Sequence, residues 1–387
     1  MNVRTEAHRW RLRAGYAWDQ SEDPRLAALR SAVDTRLRRF TSTVSTTGPD
    51  GPSIGYAGVR HGVVIRQLLE QRREIGGATT VSRVEHPVDR ARLFTPGGPP
   101  DADLVAVSGT AAQIGALPRD HALVLPYRLH LAVDLAGDGS WRRGVSKRER
   151  QWFTALRNSR AVTIEVATDE ESFDFFYDRM HVPTMELRHG DRTRNETRER
   201  AHECLFRRGL LAFAVVDGQR TAGVLCHRGP DGSVLTVRLL GVLDGSQAHH
   251  DDGALKALYH LLLEWADDNG CARVDFGAVE AWISQGIFQW KRRFGPTATV
   301  APNHTGRLRV WWRANRDTPA VRDFLVANPV FELTDDLRPR AVYFHDDSRP
   351  ARHDLSHKCA GNDDARDVHL DRFLAGLPTA VTSGAGR

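Results

Sequence analysis

Lys291 is the residue of this chain best placed to do chemistry. Of 54 Lys and Arg side chains only Lys147, Lys256, Lys291 and Lys358 are lysines. Lys291 lies in Gly286-Ile-Phe-Gln-Trp-Lys-Arg-Arg-Phe294, a short helical stretch stopped by Gly295-Pro296. At about 100° per residue, Ile287, Phe288, Trp290 and Phe294 form one apolar arc with Lys291 in its middle. Gln289, Arg292 and Arg293 take the opposite side. An ammonium in such surroundings is costly unless it snorkels to water, closes an ion pair or is employed in a reaction. Asp275 and Glu280 lie at and just after the preceding strand. Each reads either as a solvated strand-end charge or as a group that takes or orients the proton of an incoming amine.

Other chemistries find no support. The four cysteines, Cys204, Cys226, Cys271 and Cys359, are scattered without a C-x-x-C pair, which favours a reducing compartment over a zinc ribbon or a disulfide framework. His249-His-Asp-Asp252 holds ligand-type residues, but consecutive residues rarely face one ion, so no metal is expected. Gly-x-Ser-x-Gly, His-Glu-x-x-His and Walker patterns are absent.

With 387 residues, 41% hydrophobic and 27% charged, the chain has ample material for two or three domains. A net charge of +5 permits an anionic partner such as tRNA, a nucleotide or a phosphorylated cofactor. Arginine in place of lysine is also the mark of a GC-rich genome, so charge alone names no partner. No apolar run approaches the ~18 residues of a membrane span, and the start lacks the apolar core of a signal peptide. A cytoplasmic protein without a membrane span is expected.

The elements that would position these residues follow from periodicity and breakers. Residues 1–53 read as an Arg-rich segment with a helix near Pro24–Phe40, then a polar linker over Thr41–Ser53. Residues 54–144 read as a small α/β unit with a helix at Gly62–Arg73 and strands at Leu104–Val107 and Ala122–Leu125. Over 145–315 the pattern sharpens: a strand Val162–Val166, a helix Ser172–Met180 opened by a Thr168-x-x-Glu171 capping box, a loop His181–Gly190 and a charged helix over 192–208. Strands follow at Leu210–Val216, Thr221–His227 and Ser233–Val242. A loop Leu243–Asp252 leads to the amphipathic helix Ala254–Asn269, the strand Arg273–Gly277, the Lys291 helix and a last strand at 307–313. Residues 316–387 read as an extension with a flexible tail.

This order resembles the GNAT acyltransferase fold, and most closely its Fem-type and BioF2-like branch. The Phe-Tyr helix before Met180-His-Val-Pro183, the Gly218…Gly223 hairpin, the long helix, Asp275-Phe-Gly277 and Phe288-Gln-Trp-Lys-Arg-Arg-Phe-Gly295 carry the resemblance. It implies an α/β (α+β) mixed sheet flanked by helices over 145–315, with 54–144 as a reduced second GNAT-like half. It implies an acyltransferase in which Lys291 helps activate the acyl carbonyl. The donor would lie along Leu239, Gly241 and Val242, with Gly253 and Arg292. The acceptor pocket would be walled by Tyr177, Arg188, His189, Trp282 and Trp290. Acetyl-CoA members start the long helix with a glycine loop for the pyrophosphate. Here that stretch is His249-His-Asp-Asp-Gly-Ala-Leu255, in which the two carboxylates read as helix caps and as poor neighbours for a diphosphate. The departure favours aminoacyl-tRNA over acyl-CoA as co-substrate, with no bound cofactor and an amine on a small molecule or peptide as acceptor. A cell-wall or natural-product pathway fits. The rival reading is a non-catalytic GNAT-like scaffold that binds RNA or a protein.

On this reading Lys291→Met should leave stability unchanged or improved and lower turnover about 10²–10³-fold, the cost of one lost oxyanion donor. Arg293→Met, on the polar side, should be nearly silent. Steady-state kinetics with a thermal melt checks both.

Overall fold

The computed structural model describes residues 3–48, 51–189 and 196–379. Its chain divides into two units, each assembled from separated segments: Met1–Gln20, His130–Gly277 and Lys291–Thr297 in one, Ser21–Leu129, Ala278–Trp290 and Ala298–Arg387 in the other. The contiguous boundaries read from the sequence (1–53, 54–144, 145–315, 316–387) do not match these units, because sheet pairing joins segments that composition separates. The fold is mixed α/β, as expected from the element order.

The first unit is built on a sheet with strands in the order Leu129–Asp134, Arg273–Val279, Val234–Val242, Gln219–Arg228, Leu210–Val216, Val162–Ala167. Val234–Val242 and Arg273–Val279 are adjacent and parallel. Their ladder runs only over Val234–Arg273, Leu235–Val274 and Thr236–Asp275. Past Thr236 and Asp275 the two strands no longer pair, and backbone groups there must find partners elsewhere.

Beside that opening, the sheet has shed side chains to let a helix in. Gly241 and Gly223 face each other across the antiparallel pair. A Cβ on Gly241 would lie 2.3 Å from the Met180 carbonyl oxygen, and one on Gly223 would lie 2.7 Å from the Phe176 ring. The helix Glu170–Phe176 and its π-turn Tyr177–His181 therefore sit directly on the strands. Phe173, Phe176 and Met180 meet Leu211, Phe213, Leu225 and Leu239 there in one apolar cluster, each large side chain contributing roughly 1.5–3 kcal/mol.

Several local readings are corrected. His181–His189, expected as part of a loop, is helical: the π-turn Tyr177–His181 runs straight on into a helix Val182–His189, and the wider turn accommodates Pro183, which has no N–H to donate; Gly190 lies outside the described residues. The cap at the helix Glu170–Phe176 is Asp169, which accepts from the Ser172 N–H, rather than Thr168. Of the charged helix expected over 192–208, Arg198–Cys204 is helical, while 192–195 lie outside the described residues. The Arg-rich start holds a helix Val3–Gln20, tied by Arg13 to the buried Glu203 at 3.4 Å and by Asp19 to Arg200 at 2.9 Å.

The supposed polar linker begins as a strand, Phe40–Thr47, in the second unit. Phe40, Ser42, Thr43 and Ser45 are buried in it, and it pairs on both sides, with Ile54–Gly58 and Thr80–Val88. That unit's sheet continues through Leu104–Thr110, Leu308–Ala314 and Ala122–Pro126. The last strand assigned to the GNAT-like region thus lies in the other unit, and 54–144 is no self-contained half. Residues 316–379 fold as well, with a helix Pro319–Ala327 and the strands Val330–Leu333, Pro339–His345 and Ala365–His369. The four cysteines are buried and none is in a disulfide. Among the described residues no helix is long and apolar enough to cross a membrane.

Two glycine substitutions should act in opposite directions. Gly241→Ala must push a backbone aside and should cost about 1–3 kcal/mol by overpacking. Gly15→Ala, inside the helix Val3–Gln20 with nothing within 4 Å of the new methyl, should add about 0.5–1 kcal/mol from helix propensity. Urea unfolding of the two variants measures the contrast.

Candidate active site

Asp275 is the last residue of the short ladder, and its carboxylate has been taken almost wholly out of water, with 4% of the residue exposed. Two neighbours compensate it directly. Its Oδ2 lies 2.6 Å from Nδ1 of His130, and its Oδ1 accepts from the Gly277 N–H at 2.7 Å. Gly277 adopts a φ of 81°, which turns that N–H back on the carboxylate and suits glycine alone. Burial pushes the Asp275 carboxyl up, but the His130 hydrogen bond and charge, the Gly277 N–H and the Lys291 charge outweigh it, leaving it below the usual aspartate range.

Lys291 is buried as the sequence arc implied, at 7% exposure. Its Nζ donates to the Phe276 carbonyl at 2.5 Å, the next residue along the unpaired end of the strand. The arc is narrower than expected: Phe288 and Phe294 are buried, Trp290 is half-buried and Ile287 is 42% exposed. Phe294 joins Phe276 and Tyr259 in an aromatic group, with ring centroids 4.8–6.0 Å apart. The Tyr259 hydroxyl is pushed well up by burial, Asp275 adding to the effect and the Arg188 cation opposing it.

Lys291, Asp275, His130 and Tyr259 thus form one buried polar group at the opened strands, in which an imidazole held by a carboxylate has its second nitrogen available for a proton. His130 and Tyr259 were missed in the sequence. His130 sits in a short apolar strand, Leu129–Asp134, and its partner is 145 positions away; the alternation Leu129, Leu131, Val133 was the available signal for the strand, but nothing local marks the histidine.

The other expected site residues fare differently. Glu280 belongs to the second unit, where Arg128 holds it at 3.2 Å and Gln285 at 3.0 Å. Trp282 is also there, buried against Trp312, and so is Trp290. Leu239 is a core side chain. Gly241 is filled by the Met180 backbone, and the Val242 N–H is bonded to Thr184 Oγ1 at 2.9 Å while its carbonyl accepts from the same hydroxyl at 3.3 Å. The strand edge expected to meet the donor is therefore occupied by the helix Val182–His189. Gly253 is required by its φ of 84° and by the Trp152 ring 2.5 Å from any Cβ. It lines a cavity of about 50 Å³ with His249, Asp252 and Arg160. Arg292 is half-buried. Asp251 accepts from Gln247 and neither aspartate caps the long helix, whose cap residue is Gly253. Tyr177 spends its hydroxyl on the Glu196 carbonyl at 2.8 Å; Arg188 is exposed and His189 ends its helix.

Two expectations about substitutions change. Lys291→Met would strip a buried carbonyl of its donor, a loss of roughly 1–3 kcal/mol rather than none. Arg293 is no inert control, because it pairs at 3.4 Å with Glu149, which is 1% exposed and also held by Lys256.

His249–Asp252 does not gather as a metal site among the described residues. A different trio does: Asp34, His61 and His304 of the second unit bring ligand-type atoms within 4.8 Å of one another. Arg30 and Arg38 already hold the Asp34 carboxylate, at 2.9 and 3.4 Å. Burial, then His304, Arg128, Arg30 and Arg38, push His61 down to about 3. The surplus of positive charge there opposes a dication.

The sequence over 140–292 matches the acetyltransferase (GNAT) domain model; the chain carries a GNAT domain in that stretch. No curated protein matches significantly. Among solved structures, the L-PGS of Bacillus licheniformis is similar at 12% identity, covering 79% of this chain and 92% of that one, with a TM-score of 0.37. FemX is similar at 11% identity over 70% and 83%, TM-score 0.34. A tandem GNAT protein from the clavulanic acid biosynthesis pathway is similar at 14% over 81% and 95%, TM-score 0.30.

Asp275→Asn tests the compensated carboxylate. Because the folded-state value is depressed, its contribution is full above the ordinary aspartate value and is lost as pH falls through the folded value. The variant should be less stable than the parent by about 3–5 kcal/mol at neutral pH, as for a broken buried pair. The gap should begin to narrow as pH falls below about 4 and close only below the depressed folded value. Denaturant midpoints across pH 3–7 give the measurement.

Proposed function

We propose that the chain is an acyltransferase that passes an aminoacyl group from aminoacyl-tRNA to an amine on a small molecule or peptide. One observation carries the reading: an Asp275–His130 pair and a buried lysine meet where two parallel strands stop pairing. Such an opening gives a donor and an acceptor a place to lie side by side, and proximity supplies much of the rate.

In this reading the neutral amine attacks the acyl carbonyl carbon. The C–N bond forms as the C–O bond to the donor ribose breaks. The amine's proton passes to Nε2 of His130 and on to the leaving oxygen. Asp275 stays ionised and keeps the His130 proton on Nδ1, which leaves Nε2 as the acceptor. Lys291 keeps one N–H on the Phe276 carbonyl and offers another to the developing oxyanion. No covalent enzyme intermediate is required.

Two features support tRNA over CoA. Asp251 and Asp252 put two carboxylates just before the long helix Ala254–Asp268, poor neighbours for a diphosphate, and the Val242 backbone N–H and carbonyl are already bonded to Thr184. The second reading, an acyl-CoA N-acyltransferase, is favoured by the acetyltransferase description of the matched domain. Incubation with labelled aminoacyl-tRNA or acetyl-CoA, each with a pool of small amines and peptides, decides between them. Acceptor-dependent label transfer from tRNA is the expected result; transfer from acetyl-CoA alone supports the second reading, and none from either leaves a non-catalytic scaffold. His130→Gln should lower turnover about 10²–10⁴-fold with little change in KM.

A further inference from the structure

The stretch Trp141–Arg160 carries seven basic side chains against one acidic, and all seven are exposed while the acid, Glu149, is buried. Within this band the first unit has a cavity of about 360 Å³. Arg142, Arg150 and Arg157 line it, opposed by the single carboxylate of Glu264.

These guanidiniums are mounted on aromatic rings. Arg142 lies over Trp141 at 4.8 Å, and Trp141 is itself anchored by its Nε1–H on Asp267 at 3.1 Å. Arg157 lies over one face of Phe153 at 4.5 Å, and His260 is stacked on that ring at 4.3 Å and 5°. Arg142 and Arg157 both reach the Glu264 carboxylate, at 3.4 and 3.0 Å, so an oxyanion already sits at their point of convergence. A guanidinium held this way loses little freedom on binding, and its planar fork suits a phosphate. Arg150 is fixed by backbone carbonyls, among them that of Arg142 at 3.2 Å.

His260, one of the residues lining the cavity, also carries a polar atom with no hydrogen-bond partner. Nε2 of His260 is buried without a hydrogen-bond partner, on a residue 3% exposed, and the ring bonds the Glu149 backbone. Burial, followed by Arg157, Lys256 and Arg142, pushes the imidazole down to about 4, so it is neutral at pH 7. With its other nitrogen on a carbonyl, Nε2 is an acceptor and wants a hydroxyl. A phosphate diester supplies none, but the ribose beside it does.

We propose that this cavity binds a ribonucleotide unit, its phosphate on Arg142 and Arg157 and a ribose hydroxyl on Nε2 of His260. The unit could belong to a free nucleotide or to an RNA strand, and the shared chemistry is the same. The site goes beyond the acyl-transfer reading and does not depend on it.

The test uses the full chain with three probes: AMP, a single-stranded 12-mer RNA and the DNA of the same sequence, by calorimetry for AMP and fluorescence anisotropy for the strands. Binding of RNA in preference to DNA is expected; AMP binding without RNA binding assigns the site to free nucleotides. Arg142→Gln/Arg157→Gln should weaken binding about tenfold or more and lower the salt slope by about one per arginine. His260→Phe keeps the stack on Phe153, so it should retain phosphate affinity and erase the preference for RNA. Arg179→Gln, in an exposed pair with Asp244 elsewhere on this unit, should change nothing. Binding of none of the probes, equal binding of RNA and DNA, or indifference to the arginine pair in a variant with a parental circular dichroism spectrum overturns the assignment.

Discussion

A carboxylate buried where two parallel strands part has to be compensated from outside the ladder, and much of the first unit is arranged around that need at Asp275. The ladder ends at Thr236–Asp275, so the carboxylate recruits a histidine from the strand Leu129–Asp134, the Gly277 N–H from its own strand and the charge of Lys291 from the helix that follows. Each comes from a different element, and none is a neighbour in sequence save Gly277. Removing water from this group makes its charge expensive and its hydrogen bonds strong together. The low dielectric that demands compensation is also what makes a poised imidazole and an ammonium useful to a reacting carbonyl.

The strand opening is kept by packing as much as by charge. Gly241 and Gly223 remove the two side chains that would hold the helix Glu170–Phe176 off the sheet. The π-turn Tyr177–His181 then brings Thr184 onto the free edge at Val242. The edge is thus satisfied by a side-chain hydroxyl, a weaker and more replaceable partner than a strand. Access to the buried polar group and the integrity of the apolar cluster are in this way tied to the same few residues.

Much of this was legible in the sequence where one element contained its own signal. The amphipathic helix Ala254–Asp268 and the burial of Lys291 follow from local periodicity, and the adjacency of Val234–Val242 with Arg273–Val279 from the resemblance of the element order to the GNAT fold. What was not legible depended on distant partners. His130 gains its meaning from a carboxylate 145 positions on. Phe40–Thr47 reads as a linker by polarity, but its strand is made by neighbours on both sides that bury Ser42, Thr43 and Ser45. Pro183 looks like loop punctuation, and only the π-turn before it shows how a helix passes through. Arg293 looks solvated on a helical wheel until Glu149, 144 residues earlier, is found beneath it.

The division of the chain into two interleaved units constrains how it can be made. The polypeptide passes between them at 20–21, 129–130, 277–278, 290–291 and 297–298. On a ribosome that releases the N-terminus first, the strand Leu104–Thr110 must wait for Leu308–Ala314 before its antiparallel neighbour exists. Asp275 emerges long after His130, which spends that interval without its partner. Neither unit is a single continuous fragment: the first is complete only when Lys291–Thr297 has emerged, and the second only when the last segment from Ala298 onward has followed. Non-local pairing of this kind slows folding and lengthens the exposure of apolar strands to other chains. Yield in a heterologous host should therefore be governed by elongation rate and chaperone capacity more than by the stability of the finished molecule.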